Sequence, residues 1–242
     1  MDQTAYALEA EVESEHWWFV GRRRLLSKLI AQLEISQDAK ILDVGTGTGT
    51  NLRLLQQLGF KRVTGLDFSE DAIHFCKQKG LGIVQQGNAC AMPFADESFD
   101  IIFATDIIEH IDEDLQALSE IYRVLKVGGT AIIMVPAFQF LWGVQDRISH
   151  HKRRYRRKQL LSQIHTSGLV TLKNHYFNYI LFIPILLARK IIDLLNLKVE
   201  NENQVNTKFI NAILTWIFTI DVDTSPLLRP PFGVSVLAVA KK

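Results

Sequence analysis

The sequence predicts an α/β fold on a mostly parallel sheet with helices on both faces, and three observations predict it. An apolar run, Ile41-Leu42-Asp43-Val44, opens into Gly45-Thr46-Gly47-Thr48-Gly49 and then a helix-like segment carrying Leu52, Leu54, Leu55 and Leu58. A second short run, Lys61 to Leu66, ends in the acid Asp67. Further strand-like and helix-like stretches alternate as far as Val135, the order that parallel βαβ units require.

Each element has a local reason. Glycines suit the first turn because its backbone needs φ > 0 and must approach a ligand without side chains in the way. The N–H groups that open the following helix favour an anionic or acceptor group. A dinucleotide fingerprint wants its third glycine where Thr50 stands, so the G-x-G-x-G spacing here is a different loop. A carboxylate at the end of a second strand, as at Asp67, sits beside that loop and can accept both hydroxyls of a ribose. Phe99-Asp100-Ile101-Ile102-Phe103-Ala104 and Thr130-Ala131-Ile132-Ile133-Met134-Val135 read as buried strands. Between them Leu115, Leu118, Ile121, Tyr122 and Leu125 recur at helical spacing, with Gly128-Gly129 as the stop. Pro136-Ala137-Phe138 should leave the sheet at the carboxyl ends of the strands, where open α/β sheets bind ligands. Leu169 to Phe177 and Gly233 to Ala240 complete the strands.

Composition agrees with one α/β unit carrying additions. The chain has 242 residues, and 27 lysines and arginines against 26 acids give no global pull towards nucleic acid. Cys76 and Cys90 form neither a disulfide framework nor metal-ligand spacing. The start, Met1-Asp2-Gln3-Thr4, lacks a basic-then-apolar export signal, so a cytoplasmic location is expected.

The ordered series DVGTGTG, LDFS, MPF, SFD, EH and EIYRVLKVGG, from about Lys40 to Val135, resembles the class I S-adenosylmethionine-dependent methyltransferases. The resemblance implies a Rossmann-like, mostly parallel seven-stranded sheet, with an N-terminal helical lid and a helical insertion before the last strand. The divisions expected are 1–36 for the cap, 37–135 for the cofactor-binding core, and 136–177 for an acceptor loop, helix and sixth strand. Residues 178–231 would be the insertion and 232–242 the last strand. S-adenosyl-L-methionine is the implied cofactor, with Asp43, Gly45, Thr46 and Gly47 at its methionine portion and Asp67 on the ribose. Phe68 would flank the adenine, and Asn88 with Ala89 would meet its edge, Asn88 standing where many relatives have aspartate. Thr105 and His110 would sit at the cofactor edge. Val127 replaces a usual proline, a detail of the loop.

Two flanking segments matter for acceptor choice. Glu15-His16-Trp17-Trp18-Phe19-Val20-Gly21-Arg22-Arg23-Arg24 sets aromatics and a basic cluster just ahead of an apolar helix containing Leu25, Leu26, Leu29, Ile30 and Leu33. It reads either as a staple onto the domain or as a lid over the cofactor. An HxWFxxR pattern in part of the resembling group matches His16, Trp18, Phe19 and Arg22 and favours the lid, with Arg22 meeting the methionine carboxylate. The basic run from Arg147 to Lys158 reads first as a solvated helix start, since Leu160, Leu161 and Ile164 follow; RNA or anionic lipid is the alternative. The H-x-R-R-Y element of the resembling group corresponds to His151, Arg153, Arg154 and Tyr155. His151 is the candidate catalytic base, and His150 and Tyr155 are candidate acceptor contacts.

Two apolar stretches, Ile180 to Ala188 (broken by Pro184) and Phe209 to Ile220, are shorter than the ~20 residues that span a bilayer. Polar linkers, Glu200-Asn201-Glu202-Asn203-Gln204 and Asp221 to Pro226, separate them from their neighbours. They read as packed helices, or as an apolar acceptor pocket or peripheral membrane contact through residues 178–220. The acceptor expected is therefore small and apolar or lipid-like, with no nucleic acid partner. Two other classes stay open. Tyr122 and Lys126 give the Y-x-x-x-K spacing of a nicotinamide-dependent short-chain dehydrogenase, and the fold also admits a non-catalytic cofactor-binding module.

Overall fold

A computed structural model describes residues 3–195 and 207–242. The chain opens with α1 (Gln3–Val12) and α2 (Trp17–Gln32), then winds β1 (Lys40–Val44), α3 (Thr50–Gln57), β2 (Arg62–Asp67), α4 (Glu70–Gln78) and β3 (Ile83–Gln86). It continues through β4 (Phe99–Thr105), α5 (Asp114–Val124), β5 (Leu125–Pro136), α6 (Val144–Ile148), α7 (Arg157–Thr166) and β6 (Val170–Phe177). Helices α8 (Phe182–Leu194) and α9 (Lys208–Leu228) precede β7 (Ser235–Lys241). The strands form one seven-stranded sheet in the order β3-β2-β1-β4-β5-β7-β6. All pairs are parallel except those of β7, which runs antiparallel to both β5 and β6.

Successive strand side chains point to opposite faces, and the sequence fills both. Leu42, Val44, Ile102, Ala104, Ile133 and Val135 face α5 and α7 through Leu118, Ile121, Leu160 and Ile164. Their alternates Ile41, Ile101, Phe103, Ile132 and Met134 face α2, α3 and α9. Near-continuous apolar runs are what a parallel sheet covered on both sides requires.

Four local expectations are corrected. The helix before β5 ends at Val124, ahead of Gly128-Gly129, because Leu125 already pairs with Phe99 in the sheet. The aromatic cluster does not precede a helix; it is the first turn of α2, capped by the His16 side chain accepting from the Trp18 N–H. Pro184 does not break α8, since it falls in the first turn, where a missing N–H costs no helical bond. Asp221 to Pro226 is not a linker but the last turns of α9. The buried Asp221 carboxylate accepts the backbone N–H groups of Asn178, Tyr179 and Ile180 at 2.6, 2.5 and 2.9 Å, tying α9 to the end of β6. The linker at residues 200–204 lies outside the described residues. Among the described residues no helix is long and apolar enough to cross a membrane.

Helix α2 is fixed by its contact with α9. The Phe218 ring lies parallel to Trp18 at 5.5 Å and to Phe177 at 6.2 Å, with Trp17 edge-on at 5.6 Å. Gly21 permits this approach, because a Cβ there would lie 2.1 Å from Phe218 Cδ1. Phe218 is fully buried among these rings, so it has little room to yield. Gly21→Ala should therefore destabilise the fold by about 1–3 kcal/mol, read as a lowered urea midpoint, although alanine is the better helix former.

Candidate active site

Strands β1, β4 and β5 all end at one edge of the sheet, and a cavity of about 480 Å³ opens there. Gly45, Thr46 and Gly47 form its floor, Trp17, Trp18, Phe19 and Arg22 of α2 one wall, and Leu181, Pro184, Ile185 and Ala188 another. Thr105, Asp106, Glu109, His110 and His151 line its polar end.

The glycine loop is built around Asp43. Its buried carboxylate accepts from Asn51 Nδ2 and from the Thr46 hydroxyl, each at 2.8 Å, and burial pushes its pKa up to about 6 despite these bonds. Gly45 has φ +73° and a Cβ there would strike Ile107 at 2.6 Å, so side chains are excluded on two counts. Gly47, at φ +54°, has open space where a Cβ would project. Its N–H donates to Asp67 Oδ2 at 2.8 Å, while the Ser69 N–H donates to Oδ1 at 2.9 Å. Burial still holds the Asp67 carboxyl above the usual carboxylate range.

The N-terminal helices lock onto this loop through charge. Arg22 Nη1 donates to Asp106 Oδ2 at 2.9 Å and Nη2 to Asn51 Oδ1 at 3.0 Å, so one guanidinium joins α2 to β4 and to the Asp43 network. Buried Glu13 accepts from the Thr48 hydroxyl, from Thr50 at 3.1 Å and from Lys79 at 2.7 Å. The neighbouring arginines serve other contacts: Arg23 donates to the Glu13 and Ser14 carbonyls, and Arg24 to Asp223.

The opposite end is organised by Asp146. Arg154 donates through Nε and Nη2 at 2.7 and 2.9 Å, and Gly143 N–H donates at 2.7 Å. His151 Nδ1 lies 2.8 Å from Asp146 Oδ1. Against the cost of burial, the His151 and Arg154 bonds hold the Asp146 carboxyl far below the usual range. His110 stands perpendicular to His151, ring centroids 4.6 Å apart. Burial, and then the nearby His151, push the His110 pKa down to about 3.

The cavity thus gathers Trp18, Phe19, Arg22, Gly45, Thr46, Gly47, Thr105, His110 and His151 from among the residues singled out by sequence. Asp43 supports the loop from beneath. Asp67, Phe68, Asn88 and Ala89 lie beside the cavity, on an open ledge at the ends of β2 and β3. There Phe68 is 75% exposed, and the Phe68 carbonyl accepts from Gln86. The Asn88 side-chain oxygen accepts from the Cys90 N–H at 2.8 Å. His150 is exposed, outside the cavity lining. Tyr155 is a correction: its ring is fully buried and its hydroxyl donates to Asp114 at 2.8 Å, so it is core and contacts no acceptor. Sequence reasoning missed Glu9, Asp106, Glu109 and Asp146 as members of the site. Glu9 on α1 lines the cavity, and burial pushes its pKa up to about 7. The basic run is consumed largely within the fold, where Lys152, Arg153 and Arg154 pair with Asp112, Asp114 and Asp146. Neither Tyr122 nor Lys126 lines the cavity; Lys126 pairs with Asp100 at 2.7 Å.

Residues 42–133 match the family model described as a methyltransferase domain. A chain from the complex between the Haloferax volcanii Trm112 methyltransferase activator and a methyltransferase superposes with a TM-score of 0.66. It covers 98% of this chain and 94% of that one at 19% identity, a likeness of fold. Fold and matched segment point to one class: residues 42–133 are similar to the methyltransferase domains that use S-adenosylmethionine. Among relatives, the demethylmenaquinone methyltransferase of Chlorobaculum parvum is 34% identical over 123 residues, 50% of each chain. The sterol 24-C-methyltransferase erg-4 of Neurospora crassa is 38% identical over 109 residues, 42% of this chain and 29% of that one. The chain spans about half the length, or less, of the curated relatives it matches.

The cofactor of that class, S-adenosyl-L-methionine, fits the residues present. The space above Gly47 is open, and the buried Arg22 Nε has no partner among the described residues, a donor available to a carboxylate. Glu9 on the same wall offers a carboxylate to an ammonium. Asp67→Ala should weaken S-adenosylmethionine and S-adenosylhomocysteine binding at least tenfold in calorimetry, while NAD and NADP bind neither protein.

Proposed function

We propose that the protein transfers a methyl group from S-adenosylmethionine to a small, apolar or lipid-like acceptor that carries a polar group at its reacting end. The carrying observation is the mixed lining of the cavity: Leu181 and, on α8, Pro184, Ile185, Ala188 and Ile192 give it an apolar wall, while Glu109, His110 and His151, with Arg189 of α8 reaching Asp146 beside them, give it a polar end. An acceptor with an apolar body and one polar end has a single favourable orientation in such a space. The names of the relatives, a quinone and a sterol methyltransferase, support the same acceptor class.

The cofactor, when bound, supplies an electrophilic methyl on a sulfonium. The protein's part is to hold and orient. Arg22 and Glu9 would engage the methionine portion, Asp67 the ribose, and the open ledge at Phe68 and Asn88 the adenine. The α2 aromatics would close the site against water as a lid. His151 is the residue on which turnover depends. Its Nδ1 is held by Asp146 and its Nε2 is left for the acceptor's polar end, the tautomer that an ionised carboxylate partner imposes. The outer faces of α8 and α9 expose Leu187, Ile191, Leu194, Phe209, Ile213 and Trp216, which supports peripheral contact with the membrane that stores such acceptors.

The assay is formation of S-adenosylhomocysteine with hydroxylated quinols, sterols and polyprenyl phenols, each offered in detergent and in vesicles. Turnover should appear with at least one apolar acceptor and rise in vesicles. His151→Ala should lower kcat by about 10²–10⁴-fold with cofactor binding unchanged. Turnover only with hydrophilic amines, at a rate His151→Ala does not alter, would overturn the reading.

A further inference from the structure

We propose that Glu109, His110 and His151 form a binding site for one divalent first-row transition-metal cation at the polar end of the cavity. One ligand atom from each, a Glu109 carboxylate oxygen and a ring nitrogen of each histidine, lies within 4.8 Å of the others. Glu109 is fully buried, and neither of its carboxylate oxygens has a hydrogen-bond partner among the described residues. A buried carboxyl without partners is costly, and native folds rarely keep one without use. The contrast with its neighbours is direct. Asp106 has Arg22, Asp146 has Arg154, and Asp43 has Asn51 and Thr46. Burial, and then the charge of Asp106, drive the Glu109 pKa well above the carboxylate range, so a local cation is what would let it ionise.

The His151 imidazole is anchored from behind, as metal-ligating histidines usually are. His151 Nδ1 is bonded to the Asp146 carboxylate at 2.8 Å, and Arg154 keeps that carboxylate ionised, so Nε2 carries the lone pair. The His110 ring stands edge-on to His151, centroids 4.6 Å apart, and offers a ring nitrogen to the same point. Two neutral imidazoles and one carboxylate suit Zn²⁺, Mn²⁺, Fe²⁺ or Co²⁺; Mg²⁺ and Ca²⁺ prefer oxygen sets. Three protein ligands leave coordination positions open towards the cavity.

This deepens the methyltransferase reading and rests on it for its catalytic half: His151 Nε2 acts on the acceptor through the cation. An acceptor hydroxyl ligating it becomes more acidic. Its O–H bond breaks with the proton passing to water. The O–CH₃ bond then forms as the S–CH₃ bond breaks, and S-adenosylhomocysteine leaves. Asp146 is a positioning residue, acting through His151.

Binding is tested without turnover. Tag-free protein is stripped with EDTA, dialysed, and titrated with Mn²⁺, Zn²⁺ and Mg²⁺ by calorimetry, with Mn²⁺ also followed by electron paramagnetic resonance. One equivalent of Mn²⁺ or Zn²⁺ should bind at least tenfold more tightly than Mg²⁺. Glu109→Gln and His151→Ala should each weaken binding at least tenfold, and Asp146→Asn by about 10–100-fold, while His175→Ala leaves it unchanged. Glu109→Gln should retain cofactor binding and the thermal stability of the metal-free protein, since it replaces a neutral buried carboxyl with a neutral amide. Absence of saturable binding, or binding that survives both Glu109→Gln and His151→Ala, would overturn the site. Full-rate methyl transfer by the stripped enzyme would overturn its catalytic role and leave the methyltransferase reading intact.

Discussion

Neutralisation of four carboxylates at one buried edge of the sheet is the constraint on which the rest of this structure depends. Asp43, Asp106, Glu109 and Asp146 sit in or beneath a cavity where water cannot screen them, and each uncompensated charge there is costly. Three solutions recur. Asp43 is satisfied by neutral donors, and Asp106 by an arginine brought from outside the sheet. Asp146 is satisfied by an arginine eight residues away together with a histidine. The Arg22–Asp106 pair makes the N-terminal segment part of the core, because without α2 the carboxylate at the end of β4 loses its cation. Removing one partner of a buried pair is far more damaging than never having had the pair.

The same wall depends on chain segments distant in sequence. Trp18, Phe177 and Phe218 form one triangular cluster of near-parallel rings, 6.1, 5.5 and 6.2 Å apart, so α2, the end of β6 and α9 settle together. Asn211 reinforces the join, accepting from the Trp17 N–H and donating to the Glu15 carbonyl, each at 2.8 Å. Staple and lid were separate readings of the aromatic cluster, yet the geometry is compatible with both. The rings that bind α9 also face the cavity, and a rigid cluster is a better barrier to water than a loose flap.

The core was legible in the sequence because its signals are local. A glycine turn, an acid at a strand end and apolar runs of the right length need no knowledge of what lies across the fold. Strand β3 was not named because it has four residues at a sheet edge, with Ile83 72% exposed, and carries no apolar run. Asp221 misled for a related reason. Polar residues at the end of an apolar stretch resemble a linker, and only the fold shows that three N–H groups of residues 178–180 converge on that carboxylate. Tyr155 looked like an acceptor contact because it follows His151, but the strand-like extension that pairs it with Ala137 turns it into the core. Glu109 was read with His110 as one motif. Its lack of partners is a property of packing and has no trace in spacing.

These differences separate the generic half of the site from the particular half. The glycine loop, Asp43 and Asp67 form a binding floor from consecutive strand ends, which any chain of this fold can supply and which fixes no acceptor. The particular half comes from segments inserted around the sheet: α2, the turn after β4, the Asp146–Tyr155 loop and α8. Their chemistry is unequal, mostly apolar along α8, where Arg189 is the charged exception and reaches Asp146, and polar at the Glu109 end. On the proposed reading that inequality, rather than any single base, would orient an acceptor. A general base at the glycine loop would gain nothing, because the methyl donor already carries the driving force in its sulfonium. A group that lowers the pKa of the acceptor hydroxyl is useful only where the acceptor's polar end must lie. On the proposed reading that place is beside Glu109, the one of these four carboxyls without a partner among the described residues.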